Sequence, residues 1–240
     1  MSIKVPFTKE NLEECLKALA KEFKKRGKGA GAEIILVGGA SVIINYGFRE
    51  SSYDIDAIYT LSSVMKEAIN SVGDINGLPN GWLNDDFKKT PSYTNKIIEF
   101  SQYYKTFSGV LAIRTVRSEY LVAMKLISGR QYKKDLSDIA GIVYEEQVAG
   151  SPLTYEMIDK AVVDLYRSWE RVPDYSREIL DKILKCEDLR ALFIELSEDE
   201  AKAKELLSEV AKKYPDAVTI DNANDVIAAA LKKKEKQENR

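Results

Sequence analysis

A short apolar segment that ends in two glycines constrains this chain more than any other feature. The run at 33–37, Glu-Ile-Ile-Leu-Val, stops abruptly at Gly38-Gly39. A buried strand is expected to end in this way at a functional turn. Residues 40–46 then return to a pattern compatible with a helix. A strand, a glycine turn and a helix in this order predict an α/β fold.

An acidic strand is predicted next. Residues 53–59 alternate in polarity, which places Asp54 and Asp56 on the same face of a strand. The two carboxylates then lie about 7 Å apart along the chain. Like charges in one groove repel each other, and a divalent cation removes this conflict. Mg²⁺ prefers carboxylate oxygens together with substrate phosphates, so the pair favours nucleotide chemistry.

The glycine turn supplies the other half of such a site. Backbone approaches a phosphate closely only where no Cβ intervenes, as at Gly38 and Gly39. The helix that starts near Ala40 and Ser41 offers N–H groups and a positive dipole end to an anion, and Ser41 adds a hydroxyl. Alone, such a glycine pair is usually only a turn, and an Asp-x-Asp is commonly a solvated strand face. Their succession across a single helix favours the functional interpretation.

The absence of histidine narrows the chemistry further. It excludes Ser-His-Asp and Cys-His catalysis and every zinc site that uses imidazole. Cys15 and Cys186 lie at apolar positions of helical patterns, where we expect buried, reduced thiols. The net charge of -2 gives no global cationic field for nucleic acid. Neither a signal peptide nor a bilayer-spanning run is present, so we expect a cytoplasmic protein with no membrane partner.

The remaining pattern predicts a few more strands and then helices alone. Thr8 caps a first helix, Ser62 caps a helix up to residue 71, and 73–93 is a long loop with a short helix at 82–87. Strands are expected at 96–100 and 110–116, and helices after Ser118 and from Asp135. Further helices are expected at 155–169, 176–185, 198–213 and 223–233, followed by a frayed tail at 232–240. Gly150-Ser151-Pro152 is the predicted boundary between an α/β domain, 1–150, and a helical domain, 151–240.

Two blocks of sequence resemble a known superfamily. Gly38-Gly39-Ala40-Ser41 and the segment 46–56, Tyr-Gly-Phe-Arg-Glu-Ser-Ser-Tyr-Asp-Ile-Asp, resemble the signature of nucleotidyltransferases built on the DNA polymerase beta fold. The closer resemblance is to the bacterial AbiEii-like branch, which includes toxins of toxin–antitoxin and abortive-infection systems. Downstream, the segment 123–126, Ala-Met-Lys-Leu, with Arg130, Asp135 and Asp138 resembles the second motif of that branch. The resemblance implies a small mixed sheet with flanking helices, followed by a C-terminal helical domain.

The resemblance also implies roles for residues of the first block. Asp54 and Asp56 hold Mg²⁺, which bridges the triphosphate of an NTP and lowers the pKa of an attacking hydroxyl. The glycine turn and Ser41 cradle the phosphates. Arg49 is either a further phosphate contact or a surface partner of the acids beside it. Ser52 keeps the hydroxyl of the threonine that relatives often carry there, whereas the tyrosine after it lacks their basic charge.

In the second block, the resemblance implies that Lys125 contacts a phosphate or neutralises the leaving pyrophosphate. Asp135 or Asp138 acts as a base or positions the acceptor; alternatively, both are acids favoured by the dipole at a helix start. A third metal-binding carboxylate is usual in the superfamily. Glu99 is the first candidate for it, and Asp85 is the second.

The function implied is transfer of a nucleotidyl group from an NTP to an acceptor hydroxyl of RNA or protein, as in a toxin with a cognate antitoxin partner. Two alternatives stay open. A catalytically inactive binding protein would keep the fold, lack the third carboxylate and bind NTP no better with Mg²⁺. An antibiotic nucleotidyltransferase that modifies aminoglycosides would need an acidic cleft for its cationic acceptor.

Overall fold

The computed structural model describes residues 6–28, 30–60, 62–215, 217–219 and 222–238, with side chains up to residue 232. The predicted lack of a signal peptide concerns residues 1–5, which lie outside these ranges, as do the last two residues of the predicted tail. The chain divides into two compact units. We call Met1–Met124 with Leu153–Trp169 the sheet unit, and Lys125–Pro152 with Glu170–Arg240 the helical unit. The chain passes between the two units after Met124, Pro152 and Trp169, and the division at Gly150-Ser151-Pro152 into domains 1–150 and 151–240 stays a prediction.

The sheet unit contains a five-stranded mixed sheet within the described ranges. The strands are β1 Ala32–Leu36, β2 Ile55–Tyr59, β3 Leu83–Asn84, β4 Ser101–Phe107 and β5 Leu111–Val116. Their order across the sheet is β3-β2-β1-β5-β4. Strand β1 is parallel to β5 and antiparallel to β2, while β3 is parallel to β2 and β4 antiparallel to β5. The predicted α/β class with a small mixed sheet is confirmed.

The register brings several strand ends together. Leu36, the last residue of β1, pairs with Ala57 near the start of β2 and with Thr115 near the end of β5. Because β1 is antiparallel to β2 and parallel to β5, the end of β1, the start of β2 and the end of β5 share one edge of the sheet. Strand β4 starts at this edge too, since its first residue pairs with the last residue of β5. We call this edge the site edge.

Helices flank the sheet. Those of the sheet unit are α1 Lys9–Arg26, α2 Gly38–Asn45, α3 Ser63–Asn76 and α6 Tyr155–Tyr166, with α4 Ser118–Ser128 beginning in it. Short 3-10 helices cover Asp86–Lys89, Asn95–Ile98 and Trp169–Arg171. Buried side chains of α1 and α3, such as Leu16 and Ile69, pack with Leu36 and Ile55 of the sheet into one core cluster. This core fixes the strands whose ends form the site edge.

Local signals explain where the first helices begin and end. Thr8 caps α1 through a capping box with Asn11, and Gly27 follows its last residue. Ser62 caps α3, as predicted. The predicted end of α3 at residue 71 is wrong: the helix continues to Asn76 because Val72 extends the buried stripe, and Gly77 ends it with φ +63°.

The predicted strand at 96–100 is wrong. Those residues form the 3-10 helix Asn95–Ile98 and a turn, and the strand begins at Ser101. The period-two pattern of β4 is hidden by a register shift between Tyr103 and Lys105, which adds a residue to one side of the ladder. The predicted loop at 73–93 likewise contains the short strand β3, which pairs with β2.

The helical unit consists of helices among its described residues: the end of α4, then α5 Asp135–Val148, α7 Asp174–Lys185, α8 Leu189–Lys213 and α9 Ala223–Glu238. Helix α8 starts nine residues before its predicted start because Leu189, Leu192 and Leu196 extend its buried face. Cys15 is buried as predicted, whereas Cys186 is half-buried at the end of α7; both are free thiols. No described helix is long and apolar enough to cross a bilayer.

Candidate functional site

The glycine turn lies at the site edge, directly after β1. Gly38 is the first residue of α2 and has φ +53°, a left-handed conformation that costs an L-residue with a side chain about 1–2 kcal/mol. The helix was predicted to start near Ala40; it starts two residues earlier, so both glycines form its first turn. Val37, the N-cap residue, makes no side-chain cap hydrogen bond. The first N–H groups of α2 are therefore not capped by Val37.

The carboxylate of Asp56 faces this turn. A Cβ built on Gly38 would lie 3.9 Å from Oδ2 of Asp56. The backbone fixes this approach, because the N–H of Val37 donates a hydrogen bond of 3.0 Å to the carbonyl oxygen of Asp56. Strand β2 thus presents an acid to the turn after β1, at a glycine where no side chain intervenes.

Arg49 and Ser52 lie against the second glycine. A Cβ built on Gly39 would lie 2.7 Å from Nη2 of Arg49 and 3.0 Å from Oγ of Ser52. Ser52 is buried and forms a pair of backbone hydrogen bonds with Phe7, of 2.6 and 2.9 Å. The Nε of Arg49 donates to the carbonyl oxygen of Ser51 at 3.3 Å. The turn therefore has a guanidinium and a hydroxyl beside Gly39 and a carboxylate beside Gly38.

Asp54 is placed differently from Asp56. The predicted strand at 53–59 begins only at Ile55, and Asp54 lies in a bend just before it. Strand alternation therefore does not put the two acids on one face: Asp54 is exposed and Asp56 is half-buried. Asp54 does precede β2 at the site edge. Its role as a metal ligand stays a prediction.

The donor set fits a cation that is shared with a substrate. In the part of the chain that the structure describes, no three acidic or cysteine side chains form a group that could hold a metal ion. A protein-only cage is thus not formed there. Mg²⁺ is commonly bound through one or two carboxylates plus substrate phosphates, and Asp56 beside the open turn at Gly38 suits that arrangement.

Ser41 holds the start of α2 onto the sheet. It is fully buried, and its Oγ accepts a hydrogen bond of 3.1 Å from the N–H of Val116 at the end of β5. The hydroxyl therefore joins α2 to β5. The phosphate contact implied for Ser41 has no support from this placement.

Neither candidate for a third carboxylate completes a metal-binding group of three acids among the described residues, and the role of both stays a prediction. Glu99 is exposed in the turn before β4, and β4 lies three strand spacings from β2, or about 14 Å. Asp85 follows Asn84, the residue paired with Asp56, but its carboxylate forms an ion pair of 2.9 Å with Lys88.

The second block forms a buried ionic network within the helical unit. Lys125 donates hydrogen bonds of 3.0 Å to Oδ1 of Asp135 and 2.6 Å to Oδ2 of Asp138, and Arg130 donates one of 2.7 Å to Oδ2 of Asp135. Burial raises the pKa of Asp135, but the charges of Lys125 and Arg130 outweigh it and hold that pKa well below its usual range. These contacts give the four residues a structural role. Catalytic roles for Lys125, Asp135 and Asp138 stay predictions.

Sequence reasoning missed Glu200, which binds the start of α5 beside this network. Its buried carboxylate accepts hydrogen bonds from the N–H groups of Leu136, at 2.8 Å, and Ser137, at 3.3 Å, and from the hydroxyl of Ser137. It thereby caps the start of α5 from a position 63 residues further along the chain. Burial raises the pKa of Glu200 to about 7, against the opposing effect of the hydrogen bonds from Ser137 and Leu136. No local sequence pattern marks such a contact.

The structure is that of an α/β protein with a mixed sheet, in which a glycine turn faces an acid on the neighbouring strand, an arrangement that suits a phosphorylated ligand. Residues 14–177 match the family described as "Nucleotidyltransferase of unknown function (DUF6036)". Because the match covers well over half of the chain, the protein belongs to this family and is a nucleotidyltransferase. A search of curated proteins and a search of solved structures each found no match. Membership of the AbiEii-like branch stays a prediction.

Proposed function

We propose that the sheet unit binds an NTP together with Mg²⁺ at the site edge and transfers its nucleotidyl group to an acceptor hydroxyl. The observation that carries this proposal is the approach of Asp56 to the glycine turn, 3.9 Å from the place where a side chain on Gly38 would begin. A phosphate there meets bare backbone on one side and an acid able to share a cation on the other. The family match supports the reaction class.

The glycine turn and the side chains around it each have a part in binding. The glycines admit the phosphates to the first N–H groups of α2, where the helix dipole favours negative charge. Arg49, which lies against Gly39, donates charge-assisted hydrogen bonds to phosphate oxygens. Ser52 adds a hydroxyl donor. Mg²⁺ held by Asp54, Asp56 and phosphate oxygens would neutralise charge and lower the pKa of the attacking hydroxyl.

The reaction is an in-line displacement at the α-phosphorus. The acceptor oxygen forms a bond to the α-phosphorus while the bond from that phosphorus to the bridging oxygen breaks. Pyrophosphate leaves with the electron pair of that bond, and the proton of the acceptor hydroxyl is released. The binding residues keep the triphosphate aligned, and alignment of this kind supplies much of the catalysis of phosphoryl-type transfers.

The acceptor is the part of the proposal that rests on resemblance. A hydroxyl of RNA or of a protein, a toxin role and a cognate antitoxin follow from the AbiEii-like motifs. The net charge of -2 indicates that RNA recognition, if it occurs, depends on local contacts rather than on a general cationic surface.

Transfer of label tests the proposal. The protein is incubated with Mg²⁺ and each of the four NTPs labelled at the α-phosphate, with total RNA, a protein lysate or an aminoglycoside mixture as acceptor. We expect label in RNA or protein, lost in the double variant Asp54→Asn, Asp56→Asn and kept in the control Asp74→Asn, an exposed acid of α3. Equal transfer of label by the double variant would show that neither acid takes part in the mechanism. Label confined to the aminoglycosides would select the antibiotic alternative, and no label in any arm would overturn the catalytic proposal.

A further inference from the structure

Arg117 lies at the site edge, immediately after β5. Its N–H donates a hydrogen bond of 3.2 Å to the carbonyl oxygen of Phe100, which prolongs the pairing of β5 with β4. The residue before it, Val116, is bonded to Ser41 in the first turns of α2. Gly39 is two residues from Ser41, and the ends of β1 and β5 are one strand spacing apart, about 5 Å. The backbone of Arg117 therefore lies one strand away from the glycine turn, on the side opposite Asp56.

An aromatic pair holds the guanidinium in place. The Cζ atom of Arg117 lies 4.7 Å from the ring centroid of Tyr120 and 5.5 Å from that of Phe100. The two rings are stacked, with centroids 3.9 Å apart and planes at 9°. Tyr120 is itself fixed, because its hydroxyl donates a hydrogen bond of 2.7 Å to Asp164. A planar guanidinium resting on fixed rings is oriented before any ligand arrives.

One donor of the Arg117 side chain nevertheless lacks a hydrogen bond within the described part of the protein. Its Nε is buried and has no hydrogen-bond partner among the described residues. Glu119 forms an ion pair with it, with Oε1 3.6 Å from Nε, and 42% of the Arg117 side chain is exposed. A buried donor without a partner costs free energy, which a ligand oxygen would recover.

Arg114 provides the contrast on the same strand. Its Nε donates a hydrogen bond of 2.8 Å to Oγ of Ser101, and its Nη2 donates one of 2.7 Å to the carbonyl oxygen of the same residue. Arg114 therefore ties β5 to β4. Two arginines three residues apart thus differ: Arg114 is hydrogen-bonded to the sheet, whereas Nε of Arg117 has no hydrogen-bond partner among the described residues.

We infer that Arg117 binds a phosphate group of the nucleotide, on the β5 side of the glycine turn. This inference rests on the proposed function. Across the site edge the order is Asp56 on β2, the glycine turn after β1 and Arg117 after β5. A phosphate chain on the turn has a cation-binding acid on one side and a guanidinium on the other, and guanidinium suits phosphate oxygens because it donates two parallel hydrogen bonds.

Binding measurements on matched variants test this role. Dissociation constants for ATP, inorganic tripolyphosphate and adenosine are measured by isothermal titration calorimetry with Mg²⁺ present, for the wild type, Arg117→Gln, Arg117→Lys and Arg114→Gln. For Arg117→Gln we expect binding of both ATP and tripolyphosphate to weaken about 10- to 100-fold, because a charge-assisted contact is lost. Arg117→Lys keeps the positive charge but lacks the planar guanidinium, so its loss of affinity is smaller. Arg114→Gln lowers the melting temperature and leaves both constants unchanged.

The outcomes separate this inference from the proposed function. If the wild type binds ATP and folded Arg117→Gln binds it equally well, the role of Arg117 is overturned while the nucleotide site stands. If ATP binding weakens but tripolyphosphate binding does not, the residue acts on the base through the aromatic pair, and the phosphate role is again overturned. A wild type that binds neither ligand contradicts the proposed function itself. Should Arg117→Gln fail to fold, Arg117→Lys decides: affinities equal to the wild type for both ligands overturn the inference.

Discussion

Replacement of Gly39 by alanine separates the binding role of the glycine turn from its structural role. The new Cβ would lie 2.7 Å from Nη2 and 3.1 Å from Cζ of Arg49, and 3.0 Å from Oγ of Ser52. Ordinary contacts begin at about 3.5 Å, so the guanidinium of Arg49 and the hydroxyl of Ser52 must both move, by about 0.5–1 Å. The tip of an arginine moves at little cost, and alanine gains up to about 1 kcal/mol over glycine in a helix. We expect the free energy of unfolding to change by no more than about 1 kcal/mol.

Nucleotide binding by Gly39→Ala should change much more than stability. A displaced guanidinium loses a charge-assisted hydrogen bond worth about 1.5–3 kcal/mol, which weakens ATP binding about 10- to 100-fold. Urea denaturation and calorimetric titration measure the two quantities on the same preparation. Gly77→Ala is the control: its φ of +63° makes it strained, but it lies at the end of α3 and should lose stability without losing ATP affinity. Wild-type affinity in Gly39→Ala would refute the placement of phosphates on this turn.

Three further perturbations test other parts of the structure. Gly38→Ala should lower the free energy of unfolding by about 1–2 kcal/mol in urea denaturation, because φ is +53° there. Lys125→Met should cost about 3–5 kcal/mol by the same assay, because it leaves Asp135 and Asp138 buried without their shared cation. The pKa of Glu200 is raised from 4.5 in the unfolded chain to about 7 in the folded protein. The folded state therefore binds this proton more tightly. The contribution of Glu200 to stability is full below about pH 4.5 and is lost as the pH rises through about 7, by at most about 3 kcal/mol. Glu200→Gln should remove this part of the pH dependence.

Features governed by neighbouring residues could be predicted from the sequence. The cap at Thr8, the apolar run that became β1 and the glycines after it depend on contacts within a few residues. The order of a strand, a turn, a helix and an acidic strand therefore led to Gly38, Gly39 and Asp56, which the structure brings to one edge of the sheet. The succession of these signals supported the prediction, because each of them is common when it occurs alone.

Features that depend on pairing between distant segments could not be predicted. The bulge in β4 breaks the alternation on which a strand prediction relies, and so 101–107 was missed in favour of 96–100. Strand β3 has only two residues and exists because β2 offers it an edge. The start of β2 at Ile55 also depends on its partners, and this start places Asp54 in a bend rather than on the strand.

The polar contacts of the site also depend on how distant segments of the chain meet. Arg49 lies against Gly39 because of the path by which the segment after α2 returns to the sheet. No rule based on sequence spacing predicts this path. Arg117 carries no motif; its position beside the turn follows from the parallel pairing of β1 and β5. Glu200 is far from α5 in sequence and meets it only in the folded helical unit.

The effect of Mg²⁺ on ATP affinity tests most directly whether Asp56 and the glycine turn form one nucleotide site. Titrations of the wild type and of Asp56→Asn are made with Mg²⁺ and with EDTA. We predict that Mg²⁺ strengthens ATP binding by the wild type at least about tenfold, a difference of about 1.4 kcal/mol, and has little effect on the variant. An equal gain from Mg²⁺ in both proteins, or none in the wild type, would contradict the assignment of the site.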